Sequence, residues 1–457
     1  MQRLCRSCTL AKKARKTIIE VIVIGIDWPA FGEMIKLMRA YIGSDYSQAK
    51  LAEDLLLTRG GVSNYETGVT PCPPEMRMTI RRKHGMEYLP TDDLEVDVYE
   101  KALVRWNTSI SKKNWEEANF FREKLGVIKA FPFLKKQNAS FSMYDCRMFI
   151  SLNELDSAKQ ILDEYENRTG EFDDTQKYYY YRNKGIYNGL TGCIEDASKF
   201  YHKAIASNIN MLDDNISIYL NAALCDEQLG FVSLSIDCLE EGLELYPTGQ
   251  DKTLLFRSYS LIGRGYTSIK IFHRAEKMHD KAYEIAFKKY EENADEESKL
   301  RLGVVHLDYG RMYLMKKEYM PCIENLDKAL NLIPTDNDDY LEATYHRIRC
   351  FIAKGDTSHC PQLISAALKV SRPNKTYNMM FKALEILENP SEESAKHLEE
   401  KILPYLLEQN CFHPALDYAM FLTDYYKTRG PGFVMRALKM SELVSSIHRK
   451  FMERGAI

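Results

Sequence analysis

The sequence predicts an all-α protein, with a small N-terminal helical bundle followed by a long right-handed solenoid of helical hairpins. Three observations carry that reading. Hydrophobic residues recur at helical spacing along most of the chain. From residue 96 onward small, aromatic and loop residues return in a fixed phase, the mark of a repeat array. At 457 residues the chain is longer than one ordinary core, and 45% hydrophobic content excludes wholesale disorder.

Charge is uneven. Residues 1–90 carry 14 Lys and Arg against 9 Asp and Glu, and the remainder carries 48 against 56. A basic head on an acidic body suits a nucleic-acid module joined to a regulatory one. Eleven cysteines, an odd number without a framework, point to a reducing compartment. Cys5 and Cys8 form CRSC, but no second pair or His pair follows, so zinc is not expected. No cofactor is expected either.

Residues 1–28 form an N-terminal extension of uncertain role. Basic residues precede TIIEVIVIGI, an apolar run too short to span a membrane, interrupted by Glu20 and without a small-residue cleavage site. It reads as an upstream extension, with Met34 as an alternative start, or as a short strand or basic arm. No membrane association is expected. Residues 29–85 form the head. Asp27 caps a first helix, Pro29 suits its first turn, and Phe31, Ile35, Met38 and Ile42 share its inner face. Ser47 caps a second helix with Leu51, Ala52 and Leu55 inward. Thr58 caps a third, with Val62 and Tyr65 inward and Arg59, Gly60, Ser63 and Asn64 outward. A small, polar outer face is what a helix needs to enter a major groove. Pro73–Pro74 open a fourth helix with Met76 and Ile80 inward and Arg77, Arg81, Arg82 and Lys83 outward, stopped by Gly85. Residues 86–95, with Pro90, are the expected linker.

Residues 31–85 resemble the Cro/C1-type (XRE) helix-turn-helix family. The matching positions are Ser47-Gln48, Leu51-Ala52, Thr58, Val62-Ser63, Tyr65-Glu66 and Gly68. The resemblance implies that Gln48 contacts a phosphate, that Arg39 and Lys50 help hold the DNA backbone, and that Arg59, Gly60, Ser63 and Asn64, on the helix capped by Thr58, face bases. Arg59 suits guanine and Asn64 suits adenine. Two positions depart from the pattern. Leu56 stands where the family has a glycine with positive φ, and Gly60-Gly61 fall in the presumed recognition helix.

Residues 96–457 form the array, expected to serve regulation and dimerisation. Gly185, Gly192, Ala197, Tyr201 and Ala204 lie at offsets 0, 7, 12, 16 and 19. Ala223, Gly263 and Gly310 each start the same series. These are the signature small and aromatic positions of tetratricopeptide (TPR) repeats, whose small residues let paired helices approach while the aromatic fills the gap to the neighbour. The loop positions are Asn153, Gly192, Gly230, Lys270, Lys317 and Gly355, spaced 38 to 47 residues apart. Seven hairpins fit residues 97–370 and two weaker ones follow. The concave face of such an array is lined by the first helix of each hairpin. Position 6 there holds Tyr144, Asn183, Asn221, Asp308 and His346. Position 9 holds Arg147, Arg264, Arg311 and Arg349, with Arg182 at position 5. Asparagine amides can clamp an extended peptide backbone, and arginines can bind carboxylates.

Together the two halves resemble the RRNPP peptide-pheromone receptors of Gram-positive bacteria. The resemblance implies a cytoplasmic homodimer that binds a double-stranded DNA operator and senses a short signalling peptide in its groove. The peptide site would comprise Tyr144, Arg147, Arg182, Asn183, Asn221, Arg264, Arg311, His346 and Arg349. The rival expectation is a scaffold whose groove holds a partner protein, such as a phosphorelay component, with a vestigial head. No phosphate loop, Ser/His/Asp set or HExxH pattern appears, so no enzymatic activity is expected.

Overall fold

The computed structural model describes residues 31–207, 215–245 and 251–453. The N-terminal extension, the Cys5–Cys8 pair and the Asp27 and Pro29 helix start lie outside the described residues. Every regular element among the described residues is helical. The chain divides into two compact units, residues 1–183 and 184–457, and the division falls inside a helix of the array.

In the first unit, α1 (Phe31–Ile42), α2 (Gln48–Asp54), α3 (Arg59–Glu66) and α4 (Pro74–Lys83) form the head. Ile35, Met38, Leu51, Val62 and Ile80 fill its core. Ser47 Oγ accepts from Lys50 N at 3.3 Å and Thr58 Oγ1 accepts from Gly61 N at 3.1 Å, so each short helix has its side-chain cap. Leu56 adopts φ 55°, the left-handed conformation its glycine-like position calls for, and leaves its side chain 94% exposed. One tight approach escaped the pattern reading: a Cβ on Gly32 would lie 2.1 Å from the Glu66 carbonyl oxygen, so glycine lets α1 cross the end of α3.

The expected linker is a packed joint. Met86, Leu89, Pro90 and Thr91 are buried. Arg81, expected outward, is buried. It donates to Glu95 Oε1 and Oε2 at 2.6 and 2.7 Å and to the Leu89 carbonyl at 2.8 Å. A fork of three charge-assisted bonds compensates the desolvated guanidinium, which a pattern of helical faces does not anticipate. The hairpin of α5 (Asp93–Ser111) and α6 (Trp115–Gly126) follows, then α7 (Lys135–Ser151), α8 (Leu155–Tyr165) and the first half of α9 (Asp174–Leu190).

In the second unit α9 pairs with α10 (Ile194–Ala206). Then come α11 (Asn215–Leu229) with α12 (Val232–Leu245), α13 (Lys252–Ser268) with α14 (Phe272–Glu292), α15 (Glu296–Lys316) with α16 (Tyr319–Leu332), and α17 (Asp338–Lys354) with α18 (Cys360–Val370). The last elements are α19 (Lys375–Glu388), α20 (Glu392–His397), a π-helical turn (Leu398–Ile402), α21 (Leu403–Glu408), α22 (Phe412–Lys427) and α23 (Val434–Met452).

The spacing argument is visible as packing. A Cβ on Gly185 would meet Tyr201 at 2.8 Å, one on Gly263 would meet His279 at 2.5 Å, and one on Gly310 would meet Leu326 at 2.5 Å. Each is an offset 0 to offset 16 pair. All six expected loop positions have positive φ, and Lys113 and Asn410 join them. The α22–α23 pair returns to α11–α13: Ser268 Oγ lies 3.3 Å from His413 Nε2, and the Lys450 ammonium sits 5.2 Å from the Phe231 ring. One continuous core from Leu220 to Phe451 results.

Candidate nucleic-acid interface and groove

The head presents one helix face with the chemistry of a DNA reader. Arg59, Gly60 and Asn64 are exposed on α3, and Ser63 is half-buried beside them. A Cβ at Gly60 or Gly61 would meet nothing closer than the Thr58 hydroxyl at 3.5 Å, so the fold does not itself require either glycine. Behind that face, Glu66 is buried. Arg39 Nε donates to its Oε1 at 2.8 Å and Gln48 Nε2 donates to its Oε2 at 2.6 Å, while Arg39 Nη1 reaches the Tyr46 carbonyl at 3.1 Å. Arg39 and Gln48 therefore fix the angle between α1, α2 and α3, and in this arrangement their polar ends are engaged inside the head. Lys50 is exposed at the start of α2. A carboxylate this deep needs such partners. The Tyr-Glu-x-Gly match marked Glu66 without revealing its burial.

The nine groove residues fall in both units and have different surroundings in each. In the first unit Tyr144, Arg147, Arg182 and Asn183 are all buried. Asn183 has no exposed surface, and its Nδ2 donates to the Met143 carbonyl at 2.7 Å. Arg147 donates to Asn107 Oδ1 and, at 2.7 Å, to Ser111 Oγ. An aromatic file explains the burial: Trp106 stacks on Tyr144 at 6.2 Å and Tyr144 meets Tyr179 at 4.6 Å, linking α5, α7 and α9. The expectation that these four side chains line an open groove is thus not met in this structure, because the rings close the space between successive first helices.

The second unit differs. Asn221, Arg264, Arg311 and Arg349 are half-buried, and His346 is 9% exposed. Each arginine faces a carboxylate: Arg264–Glu227 at 3.3 Å, Arg311–Glu342 at 3.1 Å and Arg349–Asp417 at 2.7 Å. Two cavities, about 260 and 390 Å³, lie along this row and share Arg311, His346, Arg349 and His413. Burial outweighs the nearby arginines at Asp308 and pushes its carboxyl up to about 6. Glu342 is also desolvated, but Arg311 and His346 hold it well below the usual carboxylate range. Burial, helped by Arg311 and offset in part by Glu342, brings His346 down to about 4, so at neutral pH its ring is uncharged. The sequence reading missed Asp417, His413 and His448, which arrive from the returning C-terminal helices, and Lys270 and Lys317, which were marked only as loop positions. The described residues contain no metal-binding cluster of His, Cys, Asp and Glu, and no helix long and apolar enough to cross a membrane.

No protein-family profile matches the chain. It is 22% identical over 348 residues to the transcriptional activator NprA of Geobacillus stearothermophilus, covering 72% of this chain and 82% of the relative. The apo form of the quorum sensor NprR from B. thuringiensis superposes with a TM-score of 0.58 at 16% identity, covering 78% of this chain and 100% of that one. NprR in complex with its cognate peptide NprX gives 0.54 at 16% identity, covering 76% and 98%. The chain is similar in fold to the TPR receptors of the RRNPP group.

Proposed function

We propose that the chain is a cytoplasmic, DNA-binding transcription regulator that acts as a homodimer and is controlled by a short peptide held in the groove of its second unit. The observation that carries the DNA reading is the α3 face. Arg59, Gly60, Ser63 and Asn64 stand outward on a helix whose inner side is pinned through Glu66 by Arg39 and Gln48. Arg59 can give two hydrogen bonds to a guanine edge and Asn64 can pair with adenine. Gly60 lets the backbone come close to the duplex. The relative named as a transcriptional activator and the neighbour solved with a peptide support the two halves of the reading.

Control requires only that the peptide prefer one arrangement of the array over another. The second-unit cavities, with Arg311, His346 and Arg349 on their walls, are the peptide-facing part. The first-unit residues hold the array together. The test selects duplexes from a random pool with the full chain, then measures the recovered site by gel shift. The Arg59→Ala/Asn64→Ala double variant should lose specific binding by two orders of magnitude or more with an unchanged melting temperature. Wild-type affinity should fall steeply with salt as phosphate contacts release counterions. A wild-type chain that recovers no duplex, at any salt concentration, rejects this reading in favour of the protein-binding scaffold.

A further inference from the structure

The smaller groove cavity has a composition that the repeat pattern does not require. Four formal cations line it, Lys270, Arg311, Lys317 and Arg349, against one carboxylate, Asp417. Asp417 is already engaged by Arg349 at 2.7 Å, and Arg311 turns to Glu342 in the adjoining cavity. Lys270 and Lys317 take part in no ion pair among the described residues.

The two lysines share their loop position with Asn153, Lys113 and Asn410, all at positive φ. Both occupy the loop position between the helices of a hairpin, and both have φ 63°. At the same position the array places glycine in Gly192, Gly230 and Gly355, the residue that adopts left-handed backbone without strain. Two consecutive hairpins thus put a long cation on a backbone that favours glycine, and both cations reach the same cavity. Strained residues that converge on one cavity point to a function for it. A separate observation points the same way. His346 lines the cavity, is only 9% exposed, and its Nδ1 has no hydrogen-bond partner. Leu314 and Leu416 supply apolar wall beside these groups. At about 260 Å³ the cavity has room for a terminal residue, not for a length of chain.

We propose that this cavity is a carboxylate-binding subsite, in which Lys270 and Lys317 hold the carboxylate of a bound peptide while its last side chain rests on the apolar wall. The proposal deepens the peptide-receptor reading and rests on it. The carboxylate has two possible sources, the peptide's C-terminus or an Asp or Glu side chain near one end, and both offer the paired oxygens that ammonium groups recognise.

The test uses the full chain and a positional-scanning set of N-terminally labelled hexapeptides, each made as the free acid and as the C-terminal amide. Binding is read by fluorescence anisotropy. The comparison protein is Lys270→Gly/Lys317→Gly, which removes both charges and keeps a residue suited to the left-handed backbone. Its folding is checked by melting temperature. Free acids that bind at least tenfold tighter than their amides in wild type, with the gap closed in the double variant, establish the subsite with the terminus as its ligand. Binding that survives amidation but falls tenfold when Asp and Glu are replaced by Asn and Gln, again only in wild type, establishes it with a side-chain carboxylate. Peptides that bind wild type and variant alike overturn the subsite and leave the receptor reading standing. A set in which no peptide binds wild type rejects the receptor reading, and the subsite with it.

Discussion

Tyr144 and Asn183 hold the same repeat position as Asn221, Asp308 and His346, and Arg147 the same as Arg264, Arg311 and Arg349. In the first unit these positions are sealed by the rings of Trp106, Tyr144 and Tyr179, and Asn183 Nδ2 and the Arg147 guanidinium donate to neighbouring first helices. In the second unit arginines face carboxylates, and cavities remain. A repeat index says which face of a helix a residue occupies. Whether that face is open depends on the bulk carried by the adjacent hairpins. One array can therefore be closed over part of its length and open over another part.

The sharpest way to break this contrast is to remove the equivalent arginines. Arg147→Ala strips buried Asn107 and exposed Ser111 of their shared partner and should destabilise the protein by about 3 kcal/mol. Arg264→Ala removes a half-buried pair and should cost about 1 kcal/mol. Chemical denaturation compares them, and equal losses would mean that the two units are built alike.

Acid should distinguish the second unit next. Burial, helped by Arg311 and Arg264, takes His279 down to about 3, against an ordinary 6.5. The folded state then binds fewer protons than the unfolded one, so this contribution is complete above pH 6.5 and shrinks as pH falls toward 3. By pH 5 the loss is about 2 kcal/mol. Asp308, raised to about 6, works in the opposite direction over pH 6 to 4, so the comparison must be differential. Between pH 7 and pH 5, His279→Gln should lose about 2 kcal/mol less stability than wild type in urea titrations. A variant that tracks wild type would show that His279 titrates normally.

The smallest contrast lies at the asparagines. Asn183→Ala removes a buried bond to the Met143 carbonyl and should cost about 1 kcal/mol, while Asn221→Ala should stay within about 0.5 kcal/mol. Thermal melting resolves the two. A larger loss at Asn221 would make it the structural residue of the pair.

The periodicity of the sequence reached far into the fold because its causes are local. Gly185 under Tyr201 and Gly263 under His279 are contacts within one hairpin, and the left-handed loop residues are fixed by the turn they make. Leu56 was legible for the same reason. The site was less legible because its causes are distant. Arg81 is buried only because Glu95 follows across the joint, and the second-unit cavities exist only because α22 returns beside α13 and α17. Asp417 and His413 lie well over a hundred residues from Ser268, and no spacing rule connects them.

The Arg81–Glu95 fork also bears on which DNA sites a two-headed molecule could use. A head on a slack tether can swivel, and a dimer built that way tolerates half-sites at several separations. Here three hydrogen bonds from one guanidinium, together with Thr91 donating to the same carboxylate at 2.7 and 2.8 Å, fasten the head to the first hairpin. In the proposed dimer each recognition helix is then carried by the first hairpin rather than by a tether. Operators should then be selected as strictly by their spacing, counted in turns of the duplex, as by their bases.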